Sequence, residues 1–128
     1  MSALGIGVDI INISRIKNSI ANKNFVTRIF SNHEINNSKK FSNKASFFSK
    51  RFAAKEAFSK ALGTGFRKNL NFKDISIRNT KYGKPYIEIN EKIRRIVMKR
   101  FKTKKFNILL SISDEKNHSV AFVVLVKI

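Results

Sequence analysis

The most informative stretch of the chain is residues 48–65, which read FSKRFAAKEAFSKALGTG. Its alanine-rich composition predicts one long helix over residues 45–62, with Gly63 as the C-terminal stop. Glu56 and Lys60 are spaced i, i+4, so their side chains lie side by side, and the apolar stripe of the helix points well away from both. Two interpretations of the pair stay open: a site for a metal ion and a phosphate, or an ordinary exposed salt bridge.

The whole chain, residues 1–128, predicts a single α+β domain in which a largely antiparallel sheet packs against the long central helix. Short apolar runs bounded by turn residues predict strands over residues 4–9, 72–78, 85–89, 107–113 and 119–126. Shorter helices are expected over residues 14–20, 25–30 and 91–101. Ser31 is expected to cap another turn that contains Glu34, and the polar residues 36–44 predict a loop or a weak helix.

The composition favours an anionic partner, because the 128 residues carry a net charge of +19. A basic nucleic-acid-binding module is therefore one rival interpretation, but no nucleic-acid-binding motif accompanies the charge and we expect no such partner. The chain has no cysteine, which excludes disulfides and thiolate sites. It also lacks a signal-peptide pattern and any apolar run of membrane-spanning length, so we expect a cytoplasmic protein with no membrane partner.

A second candidate acid is Asp9, which ends the apolar strand predicted over residues 4–9. An acid at the end of a buried strand costs free energy unless it is paired or bound to a cation. Asp9 and Glu56 together therefore suit a hard cation such as Mg²⁺, which proteins commonly hold with one or two carboxylates. The alternative for Asp9 is a helix-capping or surface acid.

Three segments carry a resemblance to a known family: residues 51–65, residues 5–10 with Arg15-Ile16 after them, and residues 110–113 leading to Ala121. In this order and in so short a chain, they closely resemble the holo-acyl-carrier-protein synthases, the small 4'-phosphopantetheinyl transferases. The match over residues 51–65 is nearly word for word, and weaker similarities extend it along essentially the full length. The resemblance implies the phosphopantetheinyl transferase fold, a place in fatty acid biosynthesis, and a homotrimer with coenzyme A between neighbouring subunits.

The reaction that the resemblance implies starts with a serine hydroxyl of an apo-acyl carrier protein, which attacks the phosphate of coenzyme A that bears the pantetheine arm. The 4'-phosphopantetheine moves to the serine and 3',5'-ADP leaves. By match to the family motif, Asp9 and Glu56 bind Mg²⁺ and Lys60 contacts the pyrophosphate, so these three form the expected catalytic set. The general base stays open between Glu56, a metal-bound water and Lys60.

Further binding residues are implied by the same resemblance. Coenzyme A contacts are expected at Lys60, Gly63, Thr64, Gly83, Lys84, Pro85 and Ser111. Structural reasons exist for several of them: a helix C-cap at Gly63, a plain turn at Gly83, and a hydroxyl ladder on the strand that holds Ser111. Arg15 matches a family position that contacts the acidic carrier protein and Arg28 is a plausible neighbour, although each is also ordinary surface charge.

The chain departs from the common family pattern at Asp114, where many relatives have histidine. Any role assigned to that histidine is not carried over to this chain. We interpret His33 and His118 as exposed bystanders. A second rival interpretation is a catalytically inactive relative that still binds the acidic carrier protein.

Overall fold

The computed structural model describes residues 2–67 and 69–128, and in these it contains five α-helices, one short 3-10 helix and five strands. In chain order they are β1 (Ser2–Asn12), α1 (Ile13–Ser19), α2 (Lys23–Ile29), α3 (Asn32–Ser38), α4 (Lys44–Leu62), the 3-10 helix (Phe72–Asp74), β2 (Ile77–Asn79), β3 (Pro85–Ile87), α5 (Glu91–Phe101), β4 (Phe106–Asp114) and β5 (His118–Lys127).

The expected α+β architecture is confirmed. Strands β1, β5 and β4 form one antiparallel sheet in that order, and its inner face packs on α4. Strands β2 and β3 form a separate antiparallel pair. The polar stretch 36–44 is helical as far as Ser38, where α3 ends.

The strand expected over residues 72–78 is wrong in its first half, because residues 72–74 form the 3-10 helix and β2 begins only at Ile77. The ammonium of Lys55 accounts for the difference, since it donates to the carbonyl oxygens of Phe72 and Ile75. Backbone acceptors used in this way are not free for a sheet ladder. The strand expected over residues 85–89 is likewise shorter and ends at Ile87.

Helix α4 lies at the centre of the molecule and begins and ends as its sequence predicts. The Asn43 side chain accepts a hydrogen bond from the amide of Ser46, and Gly63 adopts a φ of 78° at the C-cap. Twelve of its nineteen residues are buried, far more than one apolar stripe would need. The helix is therefore covered on most of its circumference, by the sheet on one side and by α1 and the 72–77 segment on others.

Two glycines bring β1 unusually close to α4. A Cβ atom at Gly7 would overlap the carbonyl oxygen of Ala57, and one at Gly5 would overlap that of Ala61. Both substitutions are therefore excluded unless the strand moves away from the helix. This close approach carries Asp9, two residues further along β1, to the face of α4 that holds Glu56 and Lys60.

Candidate functional site

The expected catalytic residues meet where β1 crosses α4. Lys60 Nζ lies 3.0 Å from Asp9 Oδ1 and donates to the carbonyl oxygen of Val8 at 3.2 Å. The Lys60 side chain is 53% exposed and that of Asp9 is 16% exposed. Asp9 does not end the strand as expected, because β1 continues to Asn12. The ammonium group is thus fixed against the interior of β1 but remains open to a ligand from solvent.

Glu56 is half-buried beside this pair, and its environment favours the protonated form. Burial raises the pKa of Glu56 above its ordinary value, the negative charge of Asp9 raises it further, and Lys60 opposes both. Two carboxylates that repel each other attract a cation, which would relieve the repulsion. Within residues 2–67 and 69–128, no group of three or more His, Asp or Glu side chains could hold a metal. Asp9 and Glu56 offer two carboxylates, a pair of the kind that can hold Mg²⁺ when water and phosphate complete its shell.

Gly63 and Thr64 lie at the C-terminal end of α4, next to a basic groove. Arg100 of α5 donates from Nε to the carbonyl oxygen of Leu62 at 2.9 Å, which caps the end of the helix. Thr64 and Arg100 line a groove of about 460 Å³ together with Arg67 and Lys99. The turn therefore has a structural role as a helix C-cap, and it also borders a cationic surface.

Gly83, Lys84 and Pro85 form the turn between β2 and β3, beside the first half of α4. Gly83 adopts a φ of 90°, and the Thr80 amide donates to the Lys84 carbonyl oxygen at 2.8 Å. Gly83 and Pro85 line a groove of about 620 Å³ whose other walls come from α3, α4 and β4. The cations among its lining residues are Lys40, Lys50 and Arg51, and His33, Asn79 and Asp114 also line it.

Ser111 lies on the other face of the sheet. It is exposed and pairs in register with Phe122, which in turn pairs with Val8 of β1. Ile112, by contrast, lines the groove at the β2–β3 turn. One copy of the chain therefore does not gather all of the expected coenzyme A contacts. For example, Arg51, which lines the groove beside the β2–β3 turn, and Gly63, at the end of α4, are about 18 Å apart along the helix axis, at about 1.5 Å per residue.

The expected carrier-contact residues Arg15 and Arg28 are both exposed, on α1 and α2. Asp114, where the chain departs from the expected family pattern, accepts a hydrogen bond from Ser46 Oγ at 3.1 Å near the start of α4. His118 Nδ1 lies 3.0 Å from Glu115 Oε1 in the β4–β5 turn. His33 is exposed at the rim of the groove beside the β2–β3 turn.

The buried cations Arg51 and Lys55 were not identified from the sequence. Arg51 donates to the Phe47 carbonyl oxygen at 3.0 Å and to Asn79 Oδ1 at 2.9 Å, and Lys55 pairs with Glu34 at 2.7 Å. Desolvation lowers the pKa of Arg51 to about 10, with the negative charge of Glu34 opposing it. A helical wheel places both cations on the same face as Phe48, Phe58 and Leu62. Charged side chains on an apolar face need buried partners, and this pattern is the sequence signal that could have identified them.

Comparison with known proteins identifies the family. The sequence matches the 4'-phosphopantetheinyl transferase superfamily over residues 5–123. It is 61% identical to the holo-[acyl-carrier-protein] synthase of Pelagibacter ubique (strain HTCC1062), over 99% of each chain. A holo-(acyl-carrier-protein) synthase from Bacillus anthracis, solved in complex with CoA (3',5'-ADP), is 38% identical with a TM-score of 0.79 over 96% of each chain. A Helicobacter pylori synthase in complex with coenzyme A is 33% identical, with a TM-score of 0.78, over 94% of this chain and 99% of that one.

Proposed function

The chain belongs to the 4'-phosphopantetheinyl transferase superfamily and is an enzyme of that class, and from this premise we propose that it converts an apo-acyl carrier protein to the holo form. Residues 1–128 act as one transferase domain, with coenzyme A and Mg²⁺ bound at β1 and α4. The observation that carries the proposal is the meeting of Asp9, Glu56 and Lys60 at the Gly5–Gly7 crossing.

In the proposed reaction, a serine oxygen of the carrier forms a bond to the phosphorus that bears the pantetheine arm. The bond from that phosphorus to the bridging oxygen of the pyrophosphate breaks, and 3',5'-ADP leaves with the bonding electron pair. The serine proton passes to a base, and Glu56 and Lys60 are the residues of the site that could accept it. Lys60 lies open to solvent beside Asp9, where its ammonium stabilises the charge that develops on the phosphate oxygens.

Asp9 and Glu56 are the residues that would hold Mg²⁺. When bound, the ion supplies electrostatic stabilisation of the phosphate oxygens, which two carboxylates and an ammonium cannot supply by themselves. The ammonium of Lys60 already neutralises one of the two carboxylates. We therefore expect it to exchange its contact with Asp9 for the phosphate of coenzyme A when substrate and metal bind.

The groove beside the β2–β3 turn suits the nucleotide end of coenzyme A. Its lining combines the Gly83–Pro85 turn with Lys50 and the buried Arg51, which favours a dianionic phosphate such as the 3'-phosphate. The Gly63–Thr64 turn would border the nucleotide from the other end of α4. The two turns lie near opposite ends of α4, and in the proposed trimer a neighbouring subunit would bring them to one coenzyme A site.

A homotrimer with coenzyme A between subunits is supported by the outer face of the main sheet. Ile6, Val8 and Ile10 of β1 are 62%, 54% and 64% exposed, and Leu109 and Phe122 on the adjacent strands are 48% and 44% exposed. An apolar face of this extent favours burial against another copy of the chain. Ser111 lies on the same outer face of the sheet. In the proposed trimer it would therefore contribute to a coenzyme A site at the subunit interface, to which it does not contribute within one chain.

The acidic carrier protein is proposed to dock on α1 and α2, where Arg15 and Arg28 are exposed. The net charge of +19 would accelerate its association over a distance of about a Debye length, about 8–10 Å at physiological salt. A cytoplasmic location follows from the same substrates. Among the described residues, no helix is long and apolar enough to cross a membrane.

The test of this proposal is the release of 3',5'-ADP, measured by chromatography as coenzyme A and an apo-carrier are incubated with the protein and Mg²⁺. We expect one nucleotide per modified carrier and no release with EDTA or with the Asp9→Asn variant. Carrier binding without release would favour the inactive scaffold. Binding to nucleic acid with a steep salt dependence, unaffected by Asp9→Asn, would favour the nucleic-acid-binding module.

A further inference from the structure

A fully buried ion pair joins Glu34 of α3 to Lys55, the residue that precedes Glu56 in α4. Glu34 Oε1 is 2.7 Å from Lys55 Nζ, and neither side chain is exposed to solvent. Glu34 also accepts from the amide of Ser31 at 2.8 Å and from the amide of Ile77 at 3.0 Å. Lys55 donates to the carbonyl oxygens of Phe72, at 3.1 Å, and Ile75. Both charges are thus fully supplied with partners.

The partners of this ion pair belong to separate parts of the chain. Glu34 and Ser31 are at the start of α3, Lys55 is in the middle of α4, and Ile77 is the first residue of β2. The other end of β2 is tied to α4 as well, because Arg51 donates to Asn79 Oδ1 at 2.9 Å. β2 is therefore held against α4 at both of its ends.

The second tie continues into the β2–β3 turn. Asn79 Nδ2 donates to the carbonyl oxygen of Gly83 at 3.1 Å, and Gly83 lines the groove that suits the nucleotide. A displacement of β2 along α4 would consequently displace the turn relative to Lys50 and Arg51, which line the opposite wall. The width of the groove depends on where β2 is anchored.

We propose that Glu34 and Lys55 are positioning residues that fix the β2–β3 hairpin against α4 and thereby set the recognition of the coenzyme A 3'-phosphate, an inference that rests on the proposed function. A buried ion pair is seldom needed for stability, since apolar residues of similar volume often stabilise a core as well. The ion pair instead fixes how β2 is aligned with α4, because its five hydrogen bonds and contacts have a fixed geometry and allow a single register. Neither residue lines the groove, so an effect on coenzyme A passes through the hairpin or through the charge of Glu34 on Arg51, which lines the groove.

The experiment compares coenzyme A with 3'-dephospho-coenzyme A as phosphopantetheine donors, in the wild type, Glu34→Gln and the double variant Glu34→Gln/Lys55→Met. The double variant removes both charges and covers the case in which the single variant does not fold. We expect the ratio of kcat/KM for the two donors to fall about ten-fold, because small displacements of a binding group have effects of this order. Loss of folded protein lowers both rates equally and leaves the ratio unchanged.

The matched control is Glu88→Gln, which breaks the half-exposed ion pair with Arg78 in the same hairpin without touching α4. We expect it to leave the ratio at the wild-type value. A wild-type ratio in both folded Glu34 variants, or an equal fall in Glu88→Gln, would overturn the inference. A wild type that transfers nothing from either donor would instead refute the proposed function. In that case, the inference is tested by binding. Calorimetry gives the dissociation constants of 3',5'-ADP and 5'-ADP for the same variants, and the ratio of these two constants replaces the ratio of kcat/KM values.

Discussion

Helix α4 carries two lysine–carboxylate pairs that have the same charges but differ in their exposure to solvent. Lys55 and Glu34 are 2.7 Å apart with no exposure, while Lys60 and Asp9 are 3.0 Å apart with the lysine 53% exposed. Lys55 uses its remaining hydrogens on backbone carbonyl oxygens, whereas Lys60 has one such contact and an open side. Burial and partner number, rather than distance, separate a structural pair from one that is available to a substrate.

The largest effect that tests this contrast is on turnover. Asp9→Ala and Glu56→Ala should each reduce transfer by about 10³-fold or more, because each removes a carboxylate proposed to hold the metal. Single-turnover rates measure the loss, and circular dichroism checks that the fold is retained. A near-normal rate in either variant would remove the metal assignment.

The contrast predicts losses of stability of very different size for the two lysines. Lys55→Met leaves the Glu34 carboxylate buried without its cation, which should lower the free energy of unfolding by about 3–5 kcal/mol. Lys60→Ala breaks an exposed pair and should cost at most about 1 kcal/mol. Urea denaturation of both variants gives the comparison, and equal losses would mean that burial does not distinguish the pairs.

Activity should show the reverse order. Lys60→Ala removes a cation directed at the phosphate oxygens and should lower kcat by about 10²-fold, an effect comparable with loss of one transition-state donor. Its KM for the carrier should change much less. Steady-state kinetics with varied carrier concentration test this, and an unchanged kcat would end the proposed role of Lys60.

The local elements could be predicted from the sequence because their signals are local. Gly63 ends α4, Ser31 caps α3, and the β4–β5 hairpin follows an apolar alternation. The strand predicted over residues 72–78 is wrong at residues 72–76 because the carbonyl oxygens of Phe72 and Ile75 accept hydrogen bonds from Lys55, seventeen and twenty residues away. A strand propensity does not reveal such a tertiary contact.

The candidate site divides in the same way. The i, i+4 spacing of Glu56 and Lys60 is visible in the sequence, but their meeting with Asp9 depends on the close packing of Gly7 on Ala57. Arg51 was not predicted as a site residue, although it lies on the apolar face of α4. A charge at such a position indicates that a buried partner exists but does not show which residue it is. Asn79, the partner, is twenty-eight residues further along the chain.

A smaller effect is expected at the proposed carrier surface. Arg15→Glu should raise the KM for the carrier several-fold and leave the KM for coenzyme A nearly unchanged, since rim charges act mainly on association. Lys104→Glu, an exposed position beyond α5 with the same change in charge, is the matched control. If Lys104→Glu raises the carrier KM equally, the effect is one of net charge and Arg15 is not a contact.

The smallest effect sharpens the description of Glu56. The pKa of Glu56 is raised in the folded state, so folding favours its protonated form. The protein therefore loses stability as the pH rises above the pKa that Glu56 has in the unfolded chain. Without metal at neutral pH, Glu56→Gln should therefore raise Tm, by an amount on the order of 1–2 °C, and the gain should vanish near pH 4. Thermal unfolding across pH measures it, and a lower Tm at neutral pH would contradict the sign.

The most direct test of the central claim is the intact mass of an apo-acyl carrier protein after incubation with the protein, coenzyme A and Mg²⁺. The proposed transfer predicts a gain of about 340 Da, the mass of the phosphopantetheine arm, which is absent with EDTA and with Glu56→Ala. An unmodified carrier in the presence of folded wild-type protein and Mg²⁺ would contradict the account.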